Sequence, residues 1–476
     1  MAKKAKTNRS AGKAGARPRK APPPAAGRAR RATIRMYRLG VGDCFLVGFP
    51  RAGQDDFRIL IDCGVHQSQS GGSDRIRETV QDLQKIIAGG KIDVVVGTHE
   101  HQDHLSGFPE IKNVLGQGCA GQIWVDWTEN NDDDFAKSLK TKKDKALTAL
   151  YSAHMRMQLA GAADQEAELR SLLGFFGDES GPKLKTFGAA LKSLSTQIMY
   201  LKPGDPPIEI VEDQVRAFVL GPPRKKEQLD QADPSKKDKE QVYNFGAYSG
   251  LLEQVTPALG KEPTGPFDDR FSLPLEGTKA FSFFKRRYWA DDNGEAPKPR
   301  IDNSQDWRRI NDAWMGTATT LAMQLDEDTN NTSLVLAFEL GSKREGGPVL
   351  LFAADAQVGN WLSWQDVKWD FEGRTVTGPD LLKRTILYKV GHHASRNATL
   401  NKLGLELMTA LELALVPTDA AMAATVKWGT LPWQTLLDRL LEKTKGAVVR
   451  TDEAFGTRQL PSASVTEAPL YYEVEI

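Results

Sequence analysis

Eleven residues, from Val94 to His104, constrain this chain more than any other stretch. Val94, Val95 and Val96 make a short apolar run, the composition of a buried strand. The run breaks at Gly97 and Thr98 into a cluster of metal-ligating side chains. His99 and His101 stand two apart and can converge on one ion across a tight turn. Asp103 and His104 follow at once and can face a second ion beside the first. Imidazole nitrogen and carboxylate oxygen are the donors a hydrolytic zinc site uses. Three of the seven histidines fall in this short window. A polar surface loop is the alternative, and the strand in front of the cluster favours the metal site.

Upstream, the period-2 alternation of 33–39 predicts a strand, 40–43 a turn, 44–49 the returning strand and 57–61 a third. The third ends at Asp62, Cys63 and Gly64. A carboxylate there supports a site by hydrogen-bonding one of its ligands, or simply begins a turn. Apolar residues at Ile76, Val80, Leu83, Ile86 and Ile87 predict a helix over 74–88 with Asp74 as its cap, stopped by Gly89 and Gly90. Downstream, the chain reads as a short helix after Pro109, a strand at 122–125 and a helix-rich stretch over 132–176 that carries His154. Strands follow at 197–201, 208–211 and 215–220. Residues 223–330 alternate charged runs, Pro, Gly and aromatics, and read as an irregular inserted segment with the length of a lid.

Two later strands repeat the pattern of the first motif. The strand over 331–338 leads through a Gly-rich hairpin to an apolar run at 349–354 that ends at Asp355. The strand at 386–390 ends at Gly391, His392, His393, Ala394 and Ser395. Helices at 411–415 and 431–442 and strands at 447–450 and 469–475 close the chain. Five of the seven histidines thus lie at strand ends. Ligands at the ends of adjacent strands converge on one edge of a sheet, which gives a metal site rigid support.

Charge and cysteine usage narrow the setting. Residues 1–31 hold eleven Lys or Arg and no acid, so the remaining 52 basic and 62 acidic residues leave the body at −10. The tail is rich in Ala, Pro and Gly, has no apolar signal core, and is expected to be disordered. It reads either as a grip on phosphate backbones or as a solubilising arm on an acidic body. No run approaches the roughly 18 apolar residues of a membrane span. The three cysteines form no C-x-x-C pair and no disulfide framework, which makes a reducing cytoplasm the expected compartment.

His99-x-His101-x-Asp103-His104 resembles the signature of the metallo-β-lactamase fold superfamily. Five further pieces look like the branch related to the hydrolase domain of the competence protein ComEC. They are Val41-Gly42-Asp43-Cys44, Asp62-Cys63-Gly64, Asn331-x-Ser333, Asp355, and Lys389-Val390-Gly391-His392-His393-Ala394-Ser395. The resemblance spans about 33–476 behind a tail at 1–32, with insertions at about 129–195 and 223–330. It implies an αββα sandwich, two packed mixed sheets with helices outside, and a site for two divalent metal ions, zinc or manganese. His99 and His101 would bind one ion, Asp103 and His104 the other, and Asp355 would bridge. One of His392 and His393 would complete the second ion while its neighbour contacts substrate. A third histidine for the first ion has no clear counterpart. His154 is expected on a helix surface, and Asp126 or Glu129 are the substitutes. Asp103 and His393 are the catalytic candidates, Asp62 supports a ligand, and Lys389 and Ser395 are expected against substrate.

Such a site activates water and stabilises the attacking and leaving oxygens of a displacement. It hydrolyses phosphodiesters, thioesters, lactones and β-lactams alike. The double histidine and the basic tail favour a phosphodiester, so nucleic acid or a nucleotide is the expected partner. Rival readings are a thioester or lactone hydrolase and a non-catalytic metal-stabilised binding module. The second needs only four closed ligands, fewer than are present.

Overall fold

The computed structural model describes residues 31–160, 163–177, 184–232, 281–283, 310–425, 431–456 and 460–476. The basic tail and most of the 223–330 segment lie outside the described residues.

The first half runs β1 (Thr33–Tyr37), β2 (Phe45–Arg51), β3 (Gln54–Ile61), α1 (Gly72–Ile87), β4 (Ile92–Gly97), α2 (Gln102–Leu105), α3 (Phe108–Leu115) and β5 (Ala120–Asp126). Helices α4 (Asp134–Ala160), α5 (Ala163–Leu173) and α6 (Leu184–Lys192) lead to β6 (Ile198–Leu201), β7 (Ile208–Val211), β8 (Val215–Gly221) and α7 (Lys226–Leu229). Then come α8 (Ile310–Asn330), β9 (Val335–Leu340), β10 (Val349–Phe352), α9 (Val358–Ser363), β11 (Lys368–Phe371), β12 (Arg374–Thr377) and α10 (Gly378–Lys383). The chain closes with β13 (Thr385–Lys389), β14 (Leu413–Val416), α11 (Ala420–Thr425), α12 (Gln434–Lys443), β15 (Val448–Arg450), β16 (Ser464–Glu467) and β17 (Tyr471–Glu475).

Two large mixed sheets result, ordered β16-β17-β1-β2-β3-β4-β5-β6 and β15-β14-β13-β10-β9-β8-β7. The valine run shows why they stack. Successive strand side chains point to opposite faces, so Val94 and Val96 enter the core between the sheets beside Phe45, Phe338, Phe352 and Leu415. Val95 points outward to Ile76, Val80 and Leu83 of α1 and Ile111 of α3. Each such valine or leucine withdrawn from water contributes about 1.5–3 kcal/mol. The outer face of the second sheet is covered in the same way, Leu351 and Tyr388 packing with Trp361 of α9, Leu381 of α10 and Leu440 of α12. The layers are therefore α, β, β, α, the arrangement the sequence resemblance implies.

Several local expectations change. Residues Leu413–Val416 form β14, not a helix, paired in parallel with β13 and β15. Leu-Ala-Leu-Val is a short apolar run that suits a strand buried on both faces, and four residues are too few for a helix to gain from packing. Helix α1 starts at Gly72 without a side-chain cap, and Asp74 sits inside its first turn bonded to Arg77. The end of the supposedly irregular segment is the helix α8. Its Ala318, Leu321, Ala322 and Leu325 pack with Ala146, Leu150 and Ala153 of α4 and Leu169 and Leu173 of α5. No described helix is long and apolar enough to cross a membrane.

Candidate metal centre

The centre forms where strands of both sheets end together, rather than along one sheet edge. β4 belongs to the first sheet, and β10 and β13 are parallel neighbours in the second. Leu334 N–H donates to Thr98 O (2.8 Å), tying the start of β9 to the end of β4. In register, Ile61 pairs with Val96 and Phe352 with Lys389. Asp62 and Thr98 therefore emerge side by side, as do Asp355 and the His392–His393 turn.

That turn is sharp. His392, His393 and Ala394 take φ of 43°, 50° and 62°, three consecutive residues in the left-handed region that side chains rarely adopt. Asp62 also lies there at φ 54°. Gly64 is required by close approach instead, since a Cβ on it would stand 2.4 Å from Asp103 C and His104 N. Its bare backbone lets the 62–64 loop lie against the ligand loop, where Cys63 N–H donates to His104 O (2.9 Å) and Asp43 N–H to Asp103 O (3.0 Å).

Asp103, His104, Asp355 and His393 each place one ligand atom within 4.8 Å of the others, and all four are buried. His104 Nε2 lies 3.2 Å from Asp355 Oδ2 and 3.8 Å from Asp103 Oδ2. His393 Nε2 lies 2.9 Å from Asp103 Oδ2 and 3.7 Å from Asp355 Oδ2.

The far nitrogens fix how these rings face. His104 Nδ1–H donates to Asp62 Oδ2 (2.8 Å), so Nε2 is the nitrogen left for the centre. The carbonyl of Pro417 can only accept, which places the Nδ1 proton of His393 there (2.9 Å). Asp62 also receives Thr98 N–H (2.8 Å) and Thr98 Oγ1–H (2.7 Å). With its only proton so used, Thr98 Oγ1 accepts from His99 Nδ1–H (3.1 Å), and His99 Nε2 presents a lone pair to His101 Nδ1 at 3.1 Å. This is the carboxylate- or carbonyl-backed histidine arrangement of metal sites. Buried His104 Nε2 and Asp103 Oδ1 make no hydrogen bond. Unsatisfied polar atoms are costly away from water, and His104 Nε2 faces the carboxylates of Asp355 and Asp103 at 3.2 and 3.8 Å, so the donor set fits a divalent ion.

Electrostatics agree. Burial works against charge on His104, yet Asp355, Asp103, Asp62 and Asp43 together hold it well above the usual imidazole range. His393 is raised in the same way, against burial, by Asp355 and Asp103. Burial would raise Asp355, but His104, His393 and Lys389 hold it well below the usual carboxylate range. The pocket thus prefers positive charge, which protons supply when metal does not. Burial, then the charge of its histidine neighbours, pushes His99 far down, and burial takes His101 to about 3, leaving both rings neutral.

The other expected residues fall as follows. His392 does not join the four-ligand group. It is half-buried, with Nδ1 2.9 Å from Ser395 Oγ and 3.3 Å from Gln357 Nε2, and Nε2 3.5 Å from Asn330 Nδ2. Ser395, expected at substrate, is half-buried beside it. Lys389, also expected there, is instead 1 % exposed. Its ammonium pairs with Asp43, lies 3.5 Å from Asp355 Oδ1 and donates to Ala354 O (2.9 Å), so it holds the Asp355 carboxylate from behind. His154, expected on a helix surface, is fully buried on α4 and bonds Glu166 of α5 through Nε2 (2.7 Å). Asp126 Oδ1 caps the next turn by accepting from Thr128 N–H (2.7 Å), and burial beside Glu129 pushes it up to about 8. Glu129 pairs with Lys192 (2.8 Å). Among the described residues, none of His154, Asp126 and Glu129 forms a ligand group with His99 and His101.

Sequence reasoning missed Asp326, Asn330 and Gln357. Asp326 Oδ1 stands 3.5 Å from His101 Nε2, and Asn330 Nδ2 donates to Asp326 Oδ2 (3.3 Å). Burial, then Glu327, Asp103 and Asp355, push Asp326 well above the usual carboxylate range. The spacing of Leu321, Ala322 and Leu325 carried a helical signal ahead of the Asn331-x-Ser333 motif. That motif is structural: Asn331 Nδ2 donates to Leu229 O (3.1 Å) and Gln231 O (2.8 Å), and Ser333 Oγ accepts from Asp355 N–H (3.1 Å).

No curated protein matches the chain. Residues 37–117, which carry Asp62, His99, His101, Asp103 and His104, match the family model described as the metallo-beta-lactamase superfamily, and the sandwich around them has the fold of that superfamily.

Proposed function

We propose that this protein is a metal-dependent hydrolase that cleaves phosphodiesters, with nucleic acid or a nucleotide as substrate. The observation that carries the hydrolase reading is the inward convergence of Asp103 Oδ2, His104 Nε2, Asp355 Oδ2 and His393 Nε2, the two imidazoles backed by fixed partners through their far nitrogens. His99 and His101 would hold the first ion, the other four the second, with Asp355 shared. Divalent ions there would supply hydroxide at neutral pH and polarise the substrate oxygen. Asp103 Oδ1, buried without a hydrogen bond, is free to orient the attacking water and take its proton. His392, half-buried at the turn and steadied by Ser395 and Gln357, is the residue to meet a phosphate oxygen. The likeness of the double-histidine stretch to the ComEC hydrolase branch supports the phosphodiester, and so does the basic tail.

A second reading, a thioester or lactone hydrolase, is favoured by charge. The cleft between α4 and α8 sets Lys140, Lys142 and Lys143 against Glu100, Glu129, Asp230 and Asp328, with no positive excess. Metal analysis with a panel of bis-p-nitrophenyl phosphate, single- and double-stranded DNA, RNA and a thioester tests both. Metal-dependent turnover of a diester is expected. Turnover of the thioester alone would replace the first reading by the second.

A further inference from the structure

Of the histidines gathered at the centre, three have their outward nitrogen held by an obvious acceptor: Thr98 for His99, Asp62 for His104 and the Pro417 carbonyl for His393. His101 has no such partner in the ligand loop. Its Nε2 is buried and makes no hydrogen bond, and the ring is 1 % exposed. Facing it at 3.5 Å is Asp326 Oδ1, itself buried and without a hydrogen bond. Two complementary polar atoms left unpaired at this separation are costly unless a small movement joins them.

We propose that Asp326, supplied by α8 from outside the ligand strands, is the positioning residue of the first metal site. It accepts the Nε2–H of His101, so that Nδ1 keeps the lone pair that converges with His99 Nε2. The 3.1 Å between those two nitrogens then separates two lone pairs. That contact is repulsive on its own, and His99 and His101 would hold a cation that relieves it. Asp326 does not itself reach that cation, because it lies on the opposite side of the imidazole. By holding that N–H it fixes the ring so that Nδ1 faces His99, the part outer carboxylates play in orienting metal-site histidines. Two features hold Asp326 in place. Asn330, one helical turn on, donates to Oδ2 (3.3 Å), and Leu321, Ala322 and Leu325 anchor α8 against α4 and α5. The first site is thereby tied to an inserted helix, and a pair of histidines that lacks a clear third protein ligand gains in affinity.

The inference rests on the metal-centre reading, and metal binding measured directly separates the two. In a His393→Ala background, which breaks the second ligand set, the remaining ion reports on His99 and His101. Zinc is titrated there against a chromophoric chelator, and cobalt(II) uptake is followed by its visible absorption. Adding Asp326→Ala should weaken that ion about 10–100-fold and shift the cobalt band. Asp326→Asn, which can still accept the N–H but lacks the charge, should fall between. Melting of each metal-free variant identifies any that fails to fold, and if Asp326→Ala does, Asp326→Asn decides. Unchanged affinity and an unchanged cobalt band overturn the role of Asp326 while leaving the metal centre intact. A wild-type protein that takes up no metal overturns both.

Discussion

At the scale of single residues, the four side chains that the structure gathers, Asp103, His104, Asp355 and His393, were legible because their chemistry is concentrated. Three histidines and an aspartate behind a valine strand have few uses, and the ends of β10 and β13 repeat the pattern. Which of His392 and His393 faces the centre was not legible, because it depends on a left-handed turn that reverses the direction of adjacent side chains. Asp326 was hidden for another reason: 225 residues separate it in sequence from His101, and only packing brings them together. His154 shows the opposite case, a histidine that looks available and is bonded instead to Glu166 between two helices. His154→Ala is therefore expected to lower the melting temperature, at a cost of about 1–3 kcal/mol for the broken buried pair. Its metal content and turnover should stay near wild type, whereas Asp103→Ala should abolish turnover. Equal loss of activity and metal in both variants would move His154 into the first metal shell.

At the scale of elements, the strand at 33–39 followed from alternation and the one at 92–97 from its unbroken apolar run, in which Val94, Val95 and Val96 face core, helix and core in turn. Alternation fails where a strand is apolar on both faces, as at Leu413–Val416, whose run reads equally as helix or strand until β13 and β15 are seen to flank it. The loops matter as much as the strands. Asp62 and Gly64 form a shelf on which the ligand loop rests, and the shelf works only without a Cβ at 64. Gly64→Ala should push the backbone of Asp103 and His104 outward. We expect destabilisation of about 1–3 kcal/mol from overpacking, with a loss of metal affinity out of proportion to the change in melting temperature. Chemical denaturation and metal titration of the same variant check this. Full metal affinity in a destabilised protein would mean that the loop is positioned by something other than its contact with the 62–64 backbone.

At the scale of the whole molecule, charge is divided: the tail over 1–31 carries eleven basic residues and the rest of the chain sums to −10. An acidic body repels polyanions at long range, so a nucleic-acid substrate would be gripped by the tail. Deleting residues 1–31 should weaken binding to DNA or RNA and flatten its salt dependence, each lost phosphate contact on duplex DNA removing about 0.9 from the log–log slope. Turnover of a small chromogenic diester should survive, because the tail supplies no ligand or base. Identical salt titrations for full-length and truncated protein would remove the tail from substrate binding. The central claim, one metal centre built from the ends of strands in two different sheets, turns on Asp355, whose Oδ2 faces His104 at 3.2 Å and His393 at 3.7 Å. The most direct test is elemental analysis of purified wild-type and Asp355→Ala proteins. The wild type should carry two divalent ions per chain and the variant should lose most of both. An Asp355→Ala protein that keeps its full complement of metal would contradict the shared centre.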